Sequence, residues 1–249
     1  MYLYKHASLS KIFVSVIHYL RFPRYIYTPF DIIYNSHASK IYNHNNAKMS
    51  SDKLLYKVVS LDGNIGAGKT SILKELEKRG YVVFPEDITT WKPMLNAFYN
   101  NPQRWSFTLQ MTILNSLCNQ YEQMKRVTSG NAIIFMERAP ASSYIFAEIC
   151  KEDGFMTNDE FKIYQGIFEK LIWKPNIKLF IDTDVMPCMA RIAKRAREYE
   201  KEIKPAYLEK LVMGYAKCSF DGYLSGVEEI SKIVDRIIEM VNDKSQHNN

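Results

Sequence analysis

Residues 56–78 read YKVVSLDGNIGAGKTSILKELEK, and the eight letters from Gly63 to Thr70, GNIGAGKT, decide the fold. They fit G-x-x-x-x-G-K-[ST], the pattern of a phosphate-cradling loop. Gly63, Gly66 and Gly68 let the backbone N–H groups of Asn64, Ile65, Ala67 and their neighbours converge on an anion. Lys69 can reach the β and γ phosphates of a nucleotide, and the Thr70 hydroxyl can help hold Mg²⁺. The flanks supply what the loop needs: an apolar, β-branched run before it and a good helix former after it. A helix N-terminus at that place adds its own attraction for phosphate.

Outward from the loop, short apolar runs alternate with helical stretches. Residues 58–61, 81–84, 132–136 and 177–181 read as strands. Residues 71–78, 106–126, 158–172, 187–196, 206–215 and about 227–241 read as helices, the last with Ile230, Ile233, Val234, Ile237 and Ile238 on one face. The alternation predicts an α/β, three-layer fold: a mostly parallel sheet of four or five strands with helices on both faces. Ligands are then expected at the carboxyl ends of the strands. Residues 218–226, CSFDGYLSG, stand where a clear fifth apolar strand is expected, so that strand reads as degenerate.

The chain has 249 residues and a formal charge of +6. Residues 1–50 hold six Lys/Arg against one acid, and the remainder holds 27 basic and 26 acidic residues. The body is therefore nearly neutral, which argues against a nucleic-acid-gripping surface. The apolar runs fall short of the roughly 18 residues of a membrane span. Cys118, Cys150, Cys188 and Cys218 are widely spaced and make no zinc pattern. Residues 1–50 form a basic, Tyr-, His- and Asn-rich extension, expected to be disordered or a targeting leader. Residues 51–249 form the domain, with Met49 as a natural second start. The cytoplasm is the expected location, or mitochondria if the extension is a transit peptide.

Several further patterns follow in order: P-E-x-x-x-x-W (Pro85 to Trp91), Y-x-x-P-x-x-W-x-F-x-x-Q (Tyr99 to Gln110), Glu137-Arg138 after an apolar strand, Y-I-F (Tyr144 to Phe146), and an arginine-rich stretch before Tyr207. With the phosphate loop, they make residues 55–215 resemble the deoxynucleoside kinases, the group containing mitochondrial thymidine kinase, deoxycytidine kinase and the insect multisubstrate enzyme. Glu137-Arg138-Ala139-Pro140 also resembles a run in the more distant herpesvirus thymidine kinases.

The resemblance implies an ATP- and Mg²⁺-dependent kinase acting on the 5′-hydroxyl of a deoxynucleoside, for nucleotide salvage. Glu86 is implied as the base, Arg138 as the group that orients it, and Lys69, Arg195 and Arg197 as clamps on the transferring phosphate. Arg195 and Arg197 lie in a lid of about residues 188–204, and Arg191 flanks the donor base. Thr70 and Glu137 are expected to engage Mg²⁺. By the same resemblance Trp91 is expected to pack beside the substrate base, Gln110 to pair with its edge, and Tyr99 and Glu200 to contact the 3′-hydroxyl. A homodimer is implied, built from helices within 106–126 and 158–172.

For the base, purine- and deoxycytidine-preferring members carry an arginine where this chain has Leu117, and an aspartate after Glu-Arg that is absent here. The stretch after Glu137-Arg138 is also one residue shorter than usual. Ile113 and Leu117 make the pocket wall apolar, so thymidine is expected first and deoxycytidine second. The competing readings are a thymidylate-type nucleoside monophosphate kinase and a non-catalytic nucleotide-binding regulator.

Overall fold

The first strand, β1 (Lys57–Gly63), is buried from Val58 to its end, as a central strand covered on both faces must be. The computed structural model describes residues 56–127 and 133–246. These belong to one compact unit, Asn45–Asn249. The extension 1–50, the start at Met49 and the expected strand residue Ala132 lie outside the described residues.

Four further strands complete the sheet: β2 (Val82–Phe84), β3 (Ile133–Glu137), β4 (Ile177–Asp182) and β5 (Gly222–Ser225). Their spatial order is β2-β3-β1-β4-β5, and every pairing is parallel. The register sets Leu61 opposite Glu137 and Gly63 opposite Ile181. All five carboxyl ends therefore open on one edge, around the phosphate loop. The expected degeneracy of the fifth strand is corrected: residues 222–225 pair with β4 despite their two small residues. Leu224 is buried while Tyr223 faces outward, the alternation of an edge strand with only one face covered.

Val59, Leu61 and Phe135 cluster with Ile72, Leu73 and Leu76 of α1 (Lys69–Lys78) and with Ile233, Val234, Ile237 and Val241 of α8 (Ile230–Gln246). Arg79 ties these two helices by donating to the Ser231 hydroxyl at 2.9 Å and pairing with Asp235. Pleat alternation sends Val58, Ile134 and Met136 to the other face. There they meet Met124 of α3 (Pro102–Lys125) and Trp173. Beside α3 pack α4 (Pro140–Glu152) and α5 (Asn158–Leu171), and α7 (Pro205–Ala216) packs on α4. Among the described residues no helix is long and apolar enough to cross a membrane.

Two helices were not expected. One is α2 (Ile88–Asn100), which contains Pro93 in its interior and is capped by Asp87 accepting from Thr90 N at 3.4 Å. The other is α4, whose first residue is Pro140. Asn101 then caps α3 by accepting from Arg104 N at 3.2 Å, with Pro102 at its first position. Proline lacks the N–H that a helix start leaves unpaired anyway.

Candidate active site

The loop between β1 and α1 has the geometry its letters demand. Gly66 has φ +82°, and a Cβ there would lie 2.6 Å from the Cys188 carbonyl oxygen, so only glycine fits. Asn64 accepts from Ile65 N at 2.8 Å and donates to the Leu208 carbonyl at 3.0 Å, which anchors the loop to α7. The Lys69 ammonium donates to the carbonyls of Gly63 (3.2 Å) and Asn64 (2.8 Å). Burial, helped by the nearby Arg138 charge, pulls its pKa down to about 8. Thr70 donates to both Glu137 carboxylate oxygens, at 3.1 and 3.0 Å. Burial, and repulsion from Glu86, push the Glu137 carboxyl upward. A hydroxyl and a carboxylate this close are hard oxygen donors of the type that Mg²⁺ takes.

Arg138 follows β3 with φ +63°, a left-handed backbone for a residue with a side chain. That conformation costs roughly 1–2 kcal/mol, and it turns the guanidinium back over the loop. Arg138 Nη1 donates to Gly63 O at 2.7 Å and to the Tyr215 hydroxyl, and Nε donates to Glu86 Oε1 at 2.6 Å. The guanidinium also lies over the Phe146 ring, 4.9 Å from its centroid. Glu86 and Arg138, 52 residues apart, thus form one ion pair beside the phosphate loop.

A cavity opens from this pair. At the phosphate end it is lined by Ile65, Gly66, Lys69, Thr70 and Glu137, whereas Gly63, Asn64, Ala67 and Gly68 do not line it. At the far end stand Trp91 and Leu95 from α2 and a stripe from α3: Gln110, Ile113, Leu117 and Gln120. The α3 spacings of three and four residues put these on one helical face. Trp91 is 6% exposed and Gln110 2%. Gln110 Nε2 reaches only Cys150 Sγ, at 4.0 Å, and Gln110 Oε1 has no hydrogen-bond partner among the described residues. An orphaned buried acceptor costs about 1–3 kcal/mol, so a group facing the cavity has reason to be there. Tyr99 lines the same cavity, and burial together with Glu200 raises its pKa.

The stretch expected to form a lid, about residues 188–204, takes in most of helix α6 (Val185–Arg195), Ala196 in a left-handed turn (φ +50°), and a single 3₁₀ turn, Glu198–Glu200. Arg195 grips Glu200 with two bonds, Nε to Oε2 at 2.6 Å and Nη2 to Oε1 at 2.5 Å, and Arg197 adds a contact at 3.5 Å. All three line the cavity. Arg191 does not. It donates to Gly66 O (3.3 Å), Ala67 O (2.9 Å) and Gly226 O (2.7 Å), so it stitches the phosphate loop to the turn after β5.

The structure thus gathers Glu86, Trp91, Tyr99, Gln110, Ile113, Leu117, Arg138, Arg195, Arg197 and Glu200 around one cavity with Lys69, Thr70 and Glu137. Among the residues that escaped sequence reasoning are Leu95, Gln120, Ser143 and Tyr207 on the cavity wall, and Asp62 behind it. Gln120 could have been found from its place on the 110-113-117 stripe. Asp62 looked like the plain end of a strand.

A parallel α/β sheet with a phosphate loop, and an acid–arginine pair between that loop and a deep apolar pocket, define a phosphotransferase acting on a small acceptor. The chain belongs to the deoxynucleoside kinase family, whose pattern matches residues 59–249. A Frog virus 3 (isolate Goorha) protein, provisionally named a deoxynucleoside kinase, is 32% identical over 184 residues, covering 74% of this chain and 93% of that one. A deoxyguanosine kinase of Dictyostelium discoideum is 33% identical over 166 residues, 65% of this chain and 58% of that enzyme. In shape, the chain is similar to the deoxyadenosine kinase of M. mycoides with products dCMP and dCDP bound, with a TM-score of 0.67 and 20% identity, over 75% of this chain and 99% of that one. None of these three is a thymidine kinase by name.

Proposed function

We propose that this deoxynucleoside kinase transfers the terminal phosphoryl group of ATP to the 5′-hydroxyl of a pyrimidine deoxynucleoside, thymidine first and deoxycytidine second. The observation that carries the chemistry is the 2.6 Å Glu86–Arg138 pair standing between the phosphate loop and the apolar cavity. In this reading the 5′-oxygen attacks the terminal phosphorus, its proton passes to Glu86, and the bond to the ADP oxygen breaks. Arg138 aims Glu86. Backbone N–H groups of residues 63–70 hold the donor phosphates, and Lys69, Arg195 and Arg197 stabilise the charge that develops. Thr70 and Glu137 would hold Mg²⁺, which supplies charge neutralisation on the donor phosphates. Arg195 and Glu200 start as a pair, so the lid arginine is released to phosphate when Glu200 turns to the sugar 3′-hydroxyl beside Tyr99.

The base preference rests on the wall of Ile113 and Leu117 and on the lack of a charged side chain among the described α2 and α3 residues that line the cavity. Such a wall accepts the thymine methyl, with a small gain from its burial. Gln110 offers one acceptor and one donor to a pyrimidine edge. The relative that acts on deoxyguanosine marks the rival outcome. A homodimer through the outer faces of α3 and α5, where Ile163 is exposed, completes the proposal; light scattering of the purified chain reads it directly. The deciding experiment measures phosphorylation of thymidine, deoxycytidine, deoxyadenosine and deoxyguanosine, and of thymidine monophosphate, with ATP and Mg²⁺. The highest kcat/KM for thymidine supports the pocket reading. Preference for a purine overturns it while keeping the kinase, and transfer only to the monophosphate overturns the acceptor.

A further inference from the structure

Asp62 is the last residue before the phosphate loop and is completely buried. Its carboxylate serves the turn on the neighbouring strand. Oδ1 accepts from Ala139 N at 2.9 Å and from the Ser142 hydroxyl, and Oδ2 accepts from the Ser60 hydroxyl at 2.8 Å. Helix α4 has no side-chain cap of its own, because its capping position is Ala139. Asp62 therefore anchors the start of α4 from another strand, through the N–H of its capping residue and the Ser142 hydroxyl, which sets a carboxylate at the helix N-terminus. The residue between β3 and this cap is Arg138, whose N–H donates to Leu61 O at 2.9 Å. A left-handed arginine persists only where its surroundings over-determine it. Leu61 O fixes the amide on one side of Arg138, and Asp62 fixes the amide on the other.

We propose that Asp62 is a positioning residue for phosphoryl transfer: it locks the left-handed Arg138 turn and, through Arg138, sets the aim of Glu86. This rests on Glu86 being the base. Asp62 touches neither reactant; its effect travels through one backbone amide and one guanidinium. Its position next to Gly63, whose carbonyl also accepts from Arg138, means that the same two residues register the acceptor side against the donor loop.

The test compares Asp62→Ala, Asp62→Asn and Ser142→Ala, and Asp62→Ala combined with Glu86→Gln, in the full chain. It reads kcat, both KM values and thermal melting. Asp62→Ala is expected to lower kcat about 100-fold, the scale of a 1 Å misplacement, with the KM for ATP within about threefold of wild type. Asparagine can still accept from Ala139 N and Ser142, so Asp62→Asn is expected to restore kcat to within about fivefold. In the Glu86→Gln background, Asp62→Ala is expected to add less than about threefold, since residues on one path do not add. Wild-type kcat in Asp62→Ala beside an inactive Glu86→Gln overturns the inference alone. Full additivity overturns the route through Arg138. Wild-type kcat in Glu86→Gln overturns the base assignment and this inference with it. If Asp62→Ala does not fold, Ser142→Ala decides: a several-fold lower kcat at unchanged KM for ATP is expected, and wild-type kcat overturns the proposal.

Discussion

Glu86→Gln separates chemistry from scaffolding more cleanly than any other single change. Glutamine keeps the length and one acceptor oxygen, so Arg138 retains a partner, along with Gly63 O and the Tyr215 hydroxyl. What is lost is charge and basicity. A hydrogen bond to a charged group is worth about 1.5–3 kcal/mol against about 0.5–1.5 for a neutral one. The pair is only slightly exposed, so the expected cost is about 1 kcal/mol, or roughly 3 °C in Tm for a domain of this size. Catalysis should suffer far more, by about 10³-fold in kcat within the 10²–10⁴ range of general bases, which is about 4 kcal/mol on the barrier. A coupled ADP-release assay with thymidine, run beside a thermal melt and an ATP-binding titration, reads all three. Expected are unchanged ATP affinity, a small drop in Tm and a nearly dead enzyme. A kcat within about tenfold of wild type, below the smallest general-base effect, would refute the role of Glu86.

Three further outcomes are expected. Gln110→Leu removes an orphaned buried acceptor, so it should raise stability by about 1–2 kcal/mol, yet raise the deoxynucleoside KM by about 100-fold or more; a melt and a KM together check the trade. Arg191→Met cuts three bonds between the phosphate loop and Gly226 and should raise the KM for ATP about tenfold or more, with the deoxynucleoside KM unchanged, as initial-rate kinetics will record. Burial pushes the Cys150 thiol from 9.0 up to about 12. The native state then keeps a proton that the unfolded chain releases above pH 9, so the linked stability is complete below pH 9 and fades as pH rises toward 12. Tm between pH 9 and 11 should fall less steeply in Cys150→Ala; an equal slope would exclude that thiol as a contributor.

The sheet was largely legible because its strands are short apolar runs beside a loop pattern with one structural meaning. Expected strands at 58–61, 81–84 and 177–181 match β1, β2 and β4 to within two residues. What escaped did so for local reasons. Helix α2 carries two threonines and an interior proline, all poor helix formers, and is stabilised by burying Trp91 and Phe98 instead. Strand β5 draws its order from pairing with β4, which no local pattern announces. The acid and arginine of the candidate pair were each visible by resemblance. That one would orient the other was implied too; the left-handed turn that joins them was not, because its necessity arises only when Asp62 and Leu61 are beside Arg138 in space. The Arg195–Glu200 pair was likewise hidden: both residues were singled out for contacts with ligands, and the structure brings them to each other.

Placing β1 in the middle of the sheet divides the labour of the chain along its length. Most of the cavity wall, from Glu86 through the α3 stripe to Phe146, comes from one stretch of the sequence between β2 and the middle of α4. The phosphate loop and six residues between Arg195 and Tyr207 supply the rest. Recombination at two points, one in the strand before Glu86 and one after α4, would therefore exchange most of that wall as a block, Glu137 and Arg138 included, while Glu200 stayed behind with Arg195 and Arg197.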